Sequence, residues 1–70
     1  MTANERAAAA RELRKLARWA AEERRACMRT LERRPEAETA LVARAAGAGS
    51  VEAEAQRRAR KLEREGKEKR

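Results

Sequence analysis

Arg57, Arg60, Lys61 and Arg64 fall on one side of a helix drawn through EAEAQRRARKLERE, residues 52–65, while Glu52, Glu54, Glu63 and Glu65 are displaced to its flanks. Guanidinium groups in such a row donate to phosphate oxygens or to guanine edges. A solvated helix face ordinarily mixes its signs, and separating acids from bases is what contact with a polyanion favours. A second row, Arg11, Arg14, Arg18, Arg25 and Arg29, lies roughly opposite Leu13 and Leu16 and is interrupted by Glu22 and Glu32. The chain carries 19 Lys and Arg against 12 Asp and Glu, a net charge of +7. Such a chain associates with nucleic acid, an acidic protein surface or an anionic membrane.

Other chemistries have little to work with. The sequence contains no histidine and one cysteine, which excludes an internal disulfide and argues against a zinc site. No aspartate is present, and the glutamates alternate with arginines at i,i+3 and i,i+4 spacing, the pattern of helix-surface pairing. Cys27 lies on an apolar stripe, where a cysteine acts as a small buried hydrophobe. No catalytic residue, metal ligand or cofactor site is expected. Trp19 and Met28 sit on opposite shoulders of that stripe and are the candidate anchors for a protein interface.

The elements that must position these side chains are all helical. Alanine, arginine, glutamate and leucine dominate, all good helix formers. The first helix is expected to start near Asn4 as N-cap, with Glu5 in its first turn, and to run to about residue 34, where Pro35 stops it. Ala9, Leu13, Leu16, Ala20, Cys27 and Leu31 form its core stripe at helical spacing. Pro35 and Glu36 open a second helix over about 36–46, facing the first through Ala37, Leu41 and Ala45. Gly47 reads as its C-terminal stop and Ser50 as the N-cap of a third helix over about 51–65, which packs through Val51, Ala55, Ala59 and Leu62 and ends at Gly66. The expectation is one domain over 1–66, an all-α three-helix bundle or helix-turn-helix, with a disordered basic tail at 67–70. No run approaches the ~18 apolar residues of a membrane span, and no signal-peptide core is seen, so a soluble cytoplasmic protein is expected. Large apolar side chains are few, and self-association would relieve the thin core of so short a chain.

VARAAGAGSVEAEAQ, residues 42–56, resembles the helix-turn-helix of phage repressors, in which an alanine of the first helix precedes a turn glycine by four residues. Ala43 and Gly47 match that pair, while Ala53 and Gln56 stand where the family carries larger apolar residues. The resemblance implies a third helix entering the DNA groove, with Ser50 at its start holding a phosphate. EAQRRARKLERE, residues 54–65, is similar to arginine-rich RNA-binding helices of phage antiterminators. The small helical alphabet also resembles that of de novo designed bundles. The function expected is therefore a small basic nucleic-acid-binding module, DNA before RNA. The alternative is a natural or designed helical bundle acting in protein–protein interaction or as a homo-oligomer.

Overall fold

The computed structural model describes residues 1–68. It is a helical hairpin. Helix α1 spans Ala3–Arg33, a 3-10 turn spans Pro35–Ala37, and helix α2 spans Glu38–Glu68. Each helix has 31 residues, about 46 Å at 1.5 Å per residue. The whole is a rod measuring 53 × 13 × 13 Å over its Cα atoms.

Helix α1 begins at Thr2, two residues before Asn4. The Thr2 hydroxyl accepts from the Glu5 N–H at 3.1 Å, and the Glu5 carboxylate accepts from the Thr2 N–H at 3.1 Å. This reciprocal capping box satisfies two N–H groups that a helix start leaves open, and the T-x-x-E spacing announces it in the sequence. The Thr2 backbone N–H, and after it the Thr2 hydroxyl, hold the Glu5 carboxyl below its ordinary 4.5. At the other end Pro35 does what its chemistry requires. It lacks an N–H, its ring would collide with the carbonyl four residues back, and it pushes Arg34 out of the helical region, to φ −133° and ψ 71°. The Arg34 N–H still donates to the Thr30 carbonyl at 2.8 Å, so α1 closes cleanly. A connection this short forces the helices antiparallel and adjacent.

The expected break at Gly47–Ser50 does not occur. Helix α2 runs without interruption through Gly47, Ala48, Gly49 and Ser50, and no glycine among the described residues has positive φ. The three-helix bundle is thus corrected to two helices, and Ser50 caps nothing. It sits mid-helix, where its hydroxyl donates to the Ala46 carbonyl at 3.1 Å. The reason is a balance of magnitudes. Each helical glycine costs only about 1 kcal/mol relative to alanine, whereas breaking α2 here would remove its C-terminal half from the surface of an unbroken α1. Helix α2 also continues past Gly66 to Glu68; the remainder of the tail expected at 67–70 lies outside the described residues.

The core consists of small side chains. Ala10, Ala17, Ala20, Ala21 and Cys27 of α1 and Ala45, Ala55 and Ala59 of α2 are its buried members, Ala20 and Ala59 completely so. The seam follows alternating spacings of three and four: Ala10, Leu13, Ala17, Ala20, Arg24, Cys27, Leu31 on α1, and Leu41, Ala45, Ala48, Glu52, Ala55, Ala59, Leu62 on α2. That heptad repeat makes two helices wind around each other, and winding accounts for a cross-section of 13 Å in both directions. Subtracting two Cα radii of 2.3 Å leaves about 8 Å between axes, the close end of helix packing, which only small side chains permit.

Because the backbones approach so closely, none of the larger apolar residues is fully buried among the described residues. Leu16, Trp19, Met28, Val42 and Val51 are exposed, and Leu13, Leu31, Leu41 and Leu62 are half-buried at its margins. The core stripe expected from the leucines is corrected accordingly: Ala20 and Cys27 are buried, Leu16 is not.

Candidate nucleic-acid interface

The α1 row is set by a periodicity of seven and four. Arg11, Arg18, Arg25 and Arg29 lie within about 40° of one another at 100° per residue and point away from the seam. All four are exposed, and among the described residues none is in an ion pair. From Arg11 to Arg29 the row covers about 27 Å, the axial length of about eight base pairs at 3.4 Å each. Arg14, expected in the same row, is turned toward α2. Its Nε and Nη2 donate to Glu63 Oε1 at 3.0 and 2.7 Å, and Nη2 also donates to Oε2 at 2.9 Å. This forked pair, bidentate by geometry, joins the open end of the hairpin.

Two further ion pairs cross the seam. Arg24 Nε reaches Glu52 Oε1 at 3.3 Å, and Arg44 Nη2 reaches Glu23 Oε2 at 3.4 Å. Arg24 and Glu52 occupy seam positions near its middle, where an alanine would otherwise stand. A polar pair there aligns with itself in only one sliding register, a role that buried polar seam residues fill in coiled coils. On the side holding Arg14 and Glu63, Arg14, Arg18 and Arg25 stand along an open groove whose floor is Ala17 and Ala21 and whose far wall is Glu52 and Gln56.

On α2 the expected contact residues divide. Arg60, Lys61 and Arg64 are exposed and unpaired among the described residues, while Arg57 is paired with Glu54. Arg58, absent from the expected set, shares that carboxylate at 2.8 Å. Ser50, removed from any helix start, offers no capping N–H to a phosphate. The two cation rows lie on opposite outer edges of the rod. The expected start of a third helix at Ser50 and the helix-turn-helix approach to a groove drop out with the continuous helix; the outward rows do not depend on either.

The candidate interface anchors separate as well. Trp19 is 56% exposed on the side opposite the arginine-lined groove, near Leu16 and Val51, while Met28 is exposed on the same side as that groove. Among the described residues no helix is long and apolar enough to cross a membrane, and no cluster of three or more Cys or Glu could hold a metal ion. Comparison with protein-family models, curated proteins and solved structures finds no match.

Proposed function

We propose that this chain is a nucleic-acid-binding helical hairpin that reads the phosphate backbone and not base sequence. The observation that carries the reading is the row of exposed guanidinium groups, unpaired among the described residues, at Arg11, Arg18, Arg25 and Arg29 on one continuous helix. Arginine forks onto phosphate oxygens in bidentate fashion, and a straight helix fixes the spacing of those forks before the partner arrives. Glu22 and Glu32 stand on either side of the row. The second row, Arg60, Lys61 and Arg64, adds a separate anionic contact on the opposite edge. Such a rod suits bridging two phosphate backbones or two segments of one. No aromatic residue lies in either row to stack on a base, which is why the reading stops at phosphate.

The test is fluorescence anisotropy of a labelled DNA duplex titrated at several salt concentrations. Four phosphate contacts give a slope of log affinity on log salt of about −3.6, a loss of roughly 150-fold between 50 and 200 mM. Replacing Arg11, Arg18, Arg25 and Arg29 together with alanine should flatten that slope toward zero for the α1 contact, and replacing Arg60, Lys61 and Arg64 should remove any second binding event. A quadruple variant that binds with unchanged affinity and slope would overturn the assignment.

A further inference from the structure

One face of the rod remains without a partner, and its composition selects one. Leu13 and Leu16 of α1 and Val51 and Ala55 of α2 line a shallow groove between the helices, closed at its edge by Glu54 and Arg58. Leu16 is 43% exposed and Val51 39%, and Trp19 stands one step outside Leu16. The hairpin's own seam is alanine, with one methyl per residue to bury, whereas this face holds leucine, valine and tryptophan, each contributing several times more when covered. A substantial part of the large apolar side-chain area on this face is therefore still in water.

The charges on this face differ by helix. At 100° per residue, α1 presents Glu5, Glu12 and Glu23, with Lys15 at the edge paired to Glu12 at 3.1 Å, while α2 presents Arg44 and Arg58 beside Glu54 and Glu65. A second copy turned about an axis along the rod sets the acid-rich α1 over the mixed-charge α2, twice, by symmetry, and keeps the two acid-rich surfaces apart. The Arg44–Glu23 pair already shows the same match within one chain. The outer edges are arginine rows, which repel their own copies, so only this face is self-complementary. Its projected area, from a length of 53 Å and a width of 13 Å, is roughly 700 Å², close to the ~800 Å² per partner of a stable interface.

We infer that the Leu16–Trp19–Val51 face is buried against the same face of a second copy, forming an antiparallel four-helix bundle with both cation rows outward. This inference stands on a different face from the phosphate contact and does not need it. The experiment is sedimentation equilibrium on the whole nuclease-treated chain from about 1 to 100 µM. The expected mass is twice the 7.9 kDa chain, with Trp19 emission shifting to the blue as the dimer forms. Leu16→Glu should raise the dimer dissociation constant at least about 100-fold, since the symmetric site counts twice. Should that variant lose its helical circular dichroism, Trp19→Gln, at a more exposed position, gives the same reading. Met28→Gln with Val42→Gln, at other positions, should leave the dimer intact. A monomer at 100 µM, an assembly larger than two, or a dimer weakened by the Met28/Val42 change but not by Leu16→Glu or Trp19→Gln would each overturn the inference.

Discussion

Replacing Gly47 and Gly49 with alanine should stabilise the protein, and by an amount the structure fixes. Both glycines have ordinary helical backbone with negative φ, so no left-handed conformation is lost. A Cβ placed on Gly47 meets nothing within 4 Å, and one on Gly49 meets only the Arg24 Cδ at 3.7 Å, an ordinary contact. The gain is then the helix-propensity difference, about 1 kcal/mol for each position. Two positions give about 2 kcal/mol, and a domain of this size shifts its midpoint by about 4–8 °C per kcal/mol, so a rise of roughly 8–16 °C is expected. Thermal unfolding followed by circular dichroism at 222 nm reads it directly, at matched protein concentration because association also moves the midpoint. The sign is what discriminates. If the segment were a turn, one glycine would occupy the left-handed region after a helix, and alanine there would cost stability. An unchanged or lowered midpoint in the double variant would refute the continuous helix.

Three other outcomes follow from particular contacts. A double-mutant cycle on Arg14→Ala and Glu63→Ala, read by chemical denaturation, should give a coupling of about 0.2–1 kcal/mol, because both side chains are more than a third exposed and solvent screens them. Zero coupling would mean that this pair does not hold the open end. Thr2→Ala should return the Glu5 carboxyl toward 4.5 in an NMR titration and fray the first turn. With the folded value depressed, the Glu5 cap contributes above the unfolded value and loses its contribution as pH falls below it through the folded value, so the wild type should lose first-turn order on acidification while Glu5→Gln, which does not titrate, shows no such step. Ala59→Leu, at a position with no exposed area, should destabilise the hairpin by about 1–3 kcal/mol by forcing the backbones apart; a stabilised variant would show that the seam is not close-packed.

The cation rows were readable without a structure because they depend only on helical phase. Arg14 was the exception, since its capture by Glu63 depends on which helix lies alongside, which the spacing does not carry. Arg57 lies three residues after Glu54, so its capture follows an i,i+3 spacing that the sequence does show. Arg58 could have been found, since it stands four residues after Glu54, the favourable i,i+4 order. The alanine seam also had a signal, small residues recurring every three and four positions in both halves. Ala20, Ala45, Ala55 and Ala59 were expected at packing positions, but beside the leucines and not in their place.

The sequence by itself determined the helical content, the start of α1 and the turn at Pro35. Thr2 and Glu5 start α1, and Pro35 ends it, because capping and a missing N–H act on the backbone within four residues whatever the rest of the chain does. Tertiary structure alone decided that Gly47 to Ser50 would stay helical and that leucines would lie outside alanines. A glycine's preference is worth about 1 kcal/mol and yields to an unbroken helix running beside it. Which side chains are buried depends on how closely two backbones approach, and only the packed pair sets that distance.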